Sequence, residues 1–332
     1  MKKEVKYLLT GERSRGRICM YHGKPAPLKL NKAFPTDVAG LKPVSMNQSI
    51  KIVGNNEEIE SNFTIGYEVE KNQLHRDAIR EYELFCGFEE DSSCGYEAVT
   101  HVLPLIPASI WRNKVYDMMH KAERIIDDRY SPSNYKCGGH ITMTCVGMDG
   151  EELLSKIRLN SAIVLSLYRL RLANTFCLHN LTMLPKSSHN DWTSGWHNKY
   201  VCAKIQSFPD GTSGVEFRIP SKIESVKQMM RRYELMYEIM NVSLNKPQTS
   251  YAAFTKTIRP IIISMYGGNE VNADKVIALS KHFHKFILTG KINKEVQPFV
   301  DPHMQMRSIY ERGVFAYAMQ RSIGGETDRY EF

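Results

Sequence analysis

Phe63-Thr-Ile-Gly-Tyr-Glu-Val-Glu70 alternates between apolar residues and small or polar residues along its whole length. Successive side chains of a β-strand point to opposite faces, so this pattern predicts a strand buried on one side. The apolar face carries Phe63, Ile65, Tyr67 and Val69. The other face carries Glu68 and Glu70, next to Gly66. This strand is the starting point for both the predicted sheet and the predicted site.

Two carboxylates on one face of a strand repel each other, and a bound cation removes that repulsion. Oxygen ligands on a rigid strand suit Mg²⁺ or Mn²⁺. The alternative is a solvent-facing strand with ordinary glutamates. Taken alone, Glu68 and Glu70 favour this alternative, so the metal hypothesis depends on further ligands elsewhere in the chain.

A further carboxylate follows a turn-rich stretch, Asp91-Ser-Ser-Cys-Gly-Tyr-Glu97. The alternation that begins there predicts a second strand over residues 96–102. We expect Glu97, near the start of that strand, to converge on the same site. Asp91 either reaches the site or caps the turn.

Cys137-Gly-Gly-His140 introduces a third predicted strand, over residues 140–146. Paired glycines let the backbone approach a ligand closely, and a neutral imidazole can bind a metal or a phosphate oxygen. A zinc site built on Cys137 and His140 is disfavoured because no second Cys/His pair stands at a suitable spacing.

Glu216 and Arg218 alternate with apolar residues in Val215-Glu-Phe-Arg-Ile-Pro220. Residues 200–208 and 215–219 predict a hairpin. The pair is either a structural ion pair or a metal ligand beside a phosphate- or carboxylate-binding guanidinium. Each of these four motifs is weak alone, but together their order and strand phase indicate a common site.

The composition constrains the class of protein. The 332 residues have a formal charge of +8 and seven cysteines. An odd cysteine count in a chain of this size argues against a disulfide scaffold, so we expect a reducing, cytoplasmic compartment. No stretch is apolar enough for a signal peptide or membrane helix. Basic residues without interleaved aromatic residues make nucleic acid an unexpected partner.

Helical periodicity predicts helices over residues 107–127, 151–174, 272–288 and 302–321. Ser221 and Glu224 have the spacing of a capping box, which predicts another helix start. We therefore predict an extended N-terminal arm over residues 1–60, a catalytic core over 61–221, and a mainly helical region over 222–332 packed on the core.

In their order, Gly66-Tyr-Glu-Val-Glu70, Asp91 to Glu97, Gly138-Gly-His140 and Val215-Glu-Phe-Arg218 resemble the amidoligase branch of the glutamine synthetase and glutamate–cysteine ligase superfamily. Phage-type amidoligases are the most similar group. The resemblance covers residues 61–222, about half of the chain. It implies an α+β fold with a curved antiparallel sheet, helices on its outer face, and divalent metals with ATP on its concave face.

The resemblance also implies residue roles. Mg²⁺ or Mn²⁺ would be bound by Glu68, Glu70, Glu97 and Glu216. His140 would contact metal or phosphate, and Arg218 would hold the transferring phosphoryl group or the acyl phosphate. Lys199 would contact phosphate. Thr142 stands where family members often carry a second histidine, a departure that affects part of the expected nucleotide or metal contact.

The main hypothesis is therefore an ATP-dependent carboxylate–amine ligase that forms an amide or peptide-like bond through an acyl phosphate. Its substrates would be a carboxylate and an amine, either of them carried by a peptide or protein. The alternative is an inactive ligase fold with a structural or assembly role in a phage virion, partnered by copies of itself or by virion proteins.

Overall fold

The computed structural model describes residues 20–21, 24–25, 50–54, 57–75, 84–91, 94–100, 102–134, 136–173, 201–207 and 213–300. These residues combine helices with a largely antiparallel sheet, which confirms the predicted α+β class. The predicted helix over 302–321 and the predicted site residue Lys199 lie outside the described residues.

A seven-stranded sheet is the main β-structure. Its strands are β5 (Phe63–Lys71), β6 (Phe85–Asp91), β7 (Gly95–Thr100), β8 (Leu103–Pro104), β9 (Gly139–Cys145), β10 (Ala203–Ser207) and β11 (Ser213–Phe217). The strand order is β10-β11-β9-β5-β7-β6, and β8 pairs with β5 outside that path. Four smaller strands precede the sheet and form two antiparallel pairs: β1 (Met20–Tyr21) with β2 (Lys24–Pro25), and β3 (Ile50–Gly54) with β4 (Glu57–Ser61).

β5 lies at the centre of the sheet, as its alternating sequence predicts. It pairs antiparallel with β9 on one side and with β7 and β8 on the other. Its odd-numbered side chains are buried, with Ile65 and Val69 both 0% exposed. The predicted strands at 96–102 and 140–146 are confirmed with small shifts of their ends, whereas β6 was not predicted.

Eight α-helices are described. They are α1 (Ile110–Lys121), α2 (Glu123–Ile126), α3 (Gly150–Ile157), α4 (Ala162–Leu167), α5 (Val226–Met240), α6 (Tyr251–Met265), α7 (Glu270–Thr289) and α8 (Gln297–Val300). A 3₁₀ turn covers Arg169–Ala173 and a π-helical turn covers Asn241–Asn245. The predicted helix over 107–127 is interrupted at Ala122, and the one over 151–174 is divided into three pieces.

The predicted start of the helix after Ser221 is wrong, because α5 begins at Val226. Ser225 Oγ accepts a hydrogen bond from the backbone N–H of Gln228 at 3.3 Å, and Gln228 Oε1 accepts one from the N–H of Glu224 at 2.8 Å. Ser225 therefore caps the helix four residues later than the spacing of Ser221 and Glu224 suggested, and Gln228 binds the N–H of Glu224, whereas a capping box would require it to bind that of Ser225.

Helices cover the apolar side of β5. Tyr233 of α5 donates a hydrogen bond to Pro104 O at 2.7 Å and accepts one from Ile106 N–H at 2.9 Å. The ring of Tyr116 from α1 meets Tyr233 edge-on at 5.8 Å. Burial raises the pKa of Tyr67, and the neighbouring Tyr233 and Tyr116 raise it further. The odd-numbered face of β5 is thus the interior, which leaves Glu68 and Glu70 on the opposite face.

The chain divides into two compact units. The first comprises Met1–Gly150, Gln206–Gly214 and Lys222–Tyr233, and it contains β5, β7, β9, α1 and α2. The second comprises Glu151–Ile205, Val215–Ser221 and Glu234–Phe332. In the second unit α4 packs on α7, where Ser166 Oγ donates to Val276 O at 2.7 Å. The three-region organisation predicted from the sequence stays a prediction. Within the described ranges, no helix is long and apolar enough to cross a membrane.

A buried lysine ends β5. Lys71 is 0% exposed, and its ammonium donates to Ile126 O and Ile223 O, both at 2.7 Å, and to Asp128 Oδ1 at 2.6 Å. Burial lowers the pKa of Lys71, and pairing with Asp128 opposes that shift. These three bonds tie the end of β5 to the end of α2 and to the segment before α5.

Replacing Lys71 with methionine leaves Asp128 and two backbone carbonyls without this donor, so we expect a loss of about 3–5 kcal/mol of unfolding free energy. Urea denaturation followed by circular dichroism measures this loss. Lys121→Met is the matched control because Lys121 is half-exposed and pairs with Asp117 across one helical turn. An unchanged midpoint for Lys71→Met would contradict the structural role given to Lys71.

Gly214 is required by the close approach of β11 to β9. A Cβ at this position would lie 2.5 Å from Met143 O and 2.7 Å from Thr144 Cγ2. We expect Gly214→Ala to destabilise the protein by about 1–3 kcal/mol, measured by urea denaturation. Gly66→Ala is the control, since among the described residues the nearest atom to its added Cβ is Thr100 Oγ1, at 3.9 Å. Equal midpoints for the two variants would argue against the close β9–β11 contact.

Candidate metal and phosphate site

The antiparallel register places the predicted site residues opposite one another. Glu68 of β5 pairs with His140 of β9, and Glu70 of β5 pairs with Glu97 of β7. Directly opposed residues point to the same face of a sheet, with Cβ atoms about 4.5–5.5 Å apart. Four side chains from three strands therefore share the face of the sheet opposite the helices.

His140 lies between two carboxylates. Its Nδ1 is 2.8 Å from Glu68 Oε2, a hydrogen-bond distance, and its Nε2 is 3.5 Å from Glu70 Oε1. His140 is 8% exposed and Glu70 is 7% exposed. The imidazole is therefore held in one orientation by both carboxylates of β5, which is the kind of support that metal-binding and phosphate-binding histidines receive.

Gly138 makes room for this arrangement. Its backbone N–H donates to Glu70 Oε2 at 2.6 Å. A Cβ at Gly138 would lie 3.2 Å from His140 Nε2 and 3.5 Å from Glu70 Oε2. The glycine before His140 thus lets the backbone approach the carboxylate of Glu70 and leaves space for the ring.

Glu97 extends the row of carboxylates and is 7% exposed. On the far side of β7, the backbone register places Glu89 opposite Glu97. Asp91, which the sequence left as a ligand or a turn cap, is the last residue of β6 and pairs with Gly95 through the backbone; its side chain lies outside the described residues. The register thus places three glutamates, at positions 70, 97 and 89, side by side across neighbouring strands.

Glu216 is the most deeply buried of the predicted ligands, at 1% exposure. Its Oε1 accepts from Arg218 Nη1 at 2.5 Å, and its Oε2 lies 2.8 Å from Lys204 Nζ. Two cations stabilise a carboxylate that burial alone would disfavour. The ion pair that the sequence offered as one interpretation of Glu216 and Arg218 is present, and Lys204 joins it.

Glu68, Glu70 and His140 form a cluster of candidate ligands on β5 and β9, which are neighbours in the sheet. The imidazole lies between the two carboxylates, with nitrogen–oxygen distances of 2.8 Å to Glu68 and 3.5 Å to Glu70. Two carboxylate oxygens and one imidazole nitrogen fit Mn²⁺ well and are compatible with Mg²⁺ completed by water. The residues present therefore fit a divalent cation.

The structure places the remaining predicted residues differently. Glu97 lies beside this cluster on the same face, and Glu70 accepts a hydrogen bond from the N–H of Gly138. Thr142, at the position where a second histidine was expected, lies opposite Gly66. The Sγ of Cys137 contacts Asn134 Oδ1 at 3.6 Å, and the thiol is fully buried.

Sequence reasoning missed Lys204. Its only signal is its position early in β10, the first strand of the predicted hairpin, where the alternation is weak. No protein-family model matches the chain, and no curated protein matches it. The resemblance to amidoligases therefore stays a prediction, and the case for function depends on the geometry described above.

Cys137 gives a direct check on the burial of the segment that leads into the site. Burial is the main factor that raises the pKa of Cys137, to about 11. The thiolate is the reactive form, so at pH 8 we expect alkylation of Cys137 to be about a hundredfold slower in the folded protein than in urea. Iodoacetamide labelling with peptide-resolved mass spectrometry measures this. Equal rates in the two states would contradict the burial of Cys137.

Proposed function

We propose that this protein is an ATP-dependent carboxylate–amine ligase that joins a carboxylate to an amine through an acyl phosphate. The observation that carries the proposal is the strand register that sets Glu68 opposite His140 and Glu70 opposite Glu97 on one face of three neighbouring strands. Phosphoryl transfer depends mainly on neutralised charge and aligned oxygens, and carboxylates that hold a cation, together with the guanidinium of Arg218, would provide the groups for both.

Each residue has a defined part in the proposal. Glu68 and Glu216 would each offer a carboxylate to a divalent cation, and a bound cation would supply neutralising charge to the ATP phosphates. Glu70 fixes the imidazole of His140 from the side opposite Glu68. The planar guanidinium of Arg218 suits phosphate or carboxylate oxygens, and its contact with Glu216 orients it. Glu97 adds a further carboxylate beside Glu70.

One observation favours the second candidate, an inactive ligase fold with an assembly role in a virion. Glu216 is neutralised by Lys204 and Arg218, and His140 is hydrogen-bonded to Glu68, so these side chains already have partners within the protein. A polar network of this kind can serve stability alone. The two candidates differ in whether nucleotide and metal bind together.

Thermal unfolding with and without Mg²⁺ and ATP tests the proposal. Saturating ligand stabilises the folded state by mass action, and we expect an increase in melting temperature of about 2–4 °C. Glu68→Gln combined with Glu216→Gln keeps the shape of both side chains but removes two charges, so the increase should vanish. The double variant must first give a cooperative melt without ligand.

Glu152→Gln is the matched control for this experiment. Glu152 is half-exposed on α3 and pairs with Lys156 one helical turn away, so this variant should keep the full Mg²⁺–ATP response. A wild-type protein that melts at the same temperature with and without Mg²⁺–ATP would count against the ligase and in favour of the structural candidate.

A further inference from the structure

Lys204 is a cation beside Glu216 that the sequence motifs did not identify. It follows the first residue of β10, and its ammonium lies 2.8 Å from Glu216 Oε2. Its side chain is 19% exposed, whereas that of Glu216 is 2% exposed. The lysine therefore reaches a buried carboxylate while keeping some access to solvent.

Both oxygens of Glu216 are engaged. Arg218 Nη1 lies 2.5 Å from Oε1, and Lys204 Nζ lies 2.8 Å from Oε2. A divalent cation that binds Glu216 would compete with these basic groups, because its charge repels an ammonium or guanidinium held on the same carboxylate. Cation binding at Glu216 would thus favour movement of one basic side chain away from the carboxylate.

Lys204 is the side chain better able to move. The backbone N–H of Arg218 donates to Cys202 O at 2.9 Å. The guanidinium of Arg218 is planar, which restricts the orientations in which it can bind a carboxylate. Lys204 carries a compact charge on a flexible four-carbon stem and is the more exposed of the two side chains. A rotation about its side-chain bonds moves the ammonium without moving the strand.

We propose that Lys204 competes with a divalent cation for Glu216: it holds Oε2 when no cation is bound, releases it when a cation arrives, and then contacts a phosphate oxygen of the nucleotide. This inference rests on the proposed function, and it makes Lys204 a nucleotide-positioning residue. Phosphate oxygens of a cation-bound nucleotide would again neutralise the charge of the displaced ammonium.

Isothermal titration of Mn²⁺ alone, followed by titration of β,γ-imido-ATP into the Mn²⁺-loaded protein, tests the two halves separately. Lys204→Met removes the competing charge, so Mn²⁺ should bind about tenfold more tightly. The same variant loses a phosphate contact, so the ATP analogue should bind about tenfold more weakly. Lys204→Arg keeps the charge and should bind Mn²⁺ like the wild type.

Lys156→Met is the matched control, since Lys156 forms an exposed pair with Glu152 on α3 and its loss should change neither affinity. If wild type binds Mn²⁺ and the analogue but Lys204→Met binds Mn²⁺ with unchanged or lower affinity, the competition is overturned and the proposed function stands. If wild type binds neither ligand, both are overturned. Should Lys204→Met fail to fold, tighter Mn²⁺ binding by Lys204→Arg than by wild type would overturn the competition.

Discussion

The pairing of β5 with β9 and β7 is the constraint on which the remaining features depend. Glu68 faces His140 and Glu70 faces Glu97 because both neighbours run antiparallel to β5 in one register. Side chains alternate along a strand, so this register also determines which face receives the carboxylates and which receives the apolar side chains under the helices. The site and the core are therefore two consequences of the same hydrogen-bond pattern.

This arrangement has an energetic cost that the fold offsets locally. Like charges directly opposite each other across two strands are destabilising, and Glu70 faces Glu97 in that way. The N–H of Gly138 stabilises Glu70, and Lys204 and Arg218 stabilise Glu216. A row of buried carboxylates held by such compensating contacts is typical of sites that bind cations.

Local sequence patterns predicted the part of the fold that depends on alternation. The phase of β5 and the presence of β7 and β9 follow from apolar residues at every second position, and that phase also placed Glu68 and Glu70 on one face. α1 gives way to α2 at Ala122, and no glycine or proline stands there to mark the break in the sequence. α6 was also missed, and it is a long helix that contains Pro260, a residue that normally interrupts helices. Tertiary packing sets these features.

The site was predictable to a similar extent. Motif order gave the carboxylates and His140, because each lies within or beside an alternating strand. Lys204 was missed because its role depends on its pairing with Glu216 of the neighbouring strand. The residue pattern within one strand does not reveal that pairing. Lys71 was missed because a lysine in a strand normally indicates solvent, whereas three acceptors, two of them backbone carbonyls distant in sequence, make its burial favourable.

Lys71 also has a consequence for the fidelity of folding. A slip of β5 by one residue would turn Glu70 toward the helices and bring Lys71 among the carboxylates, while Ile126 O and Ile223 O would lose their donor. Such a slip would place one charge in the apolar interior, and it would also leave two backbone carbonyls without a hydrogen-bond donor. The lysine therefore acts as a register lock, which penalises misaligned β5 pairings far more than an apolar residue at position 71 would.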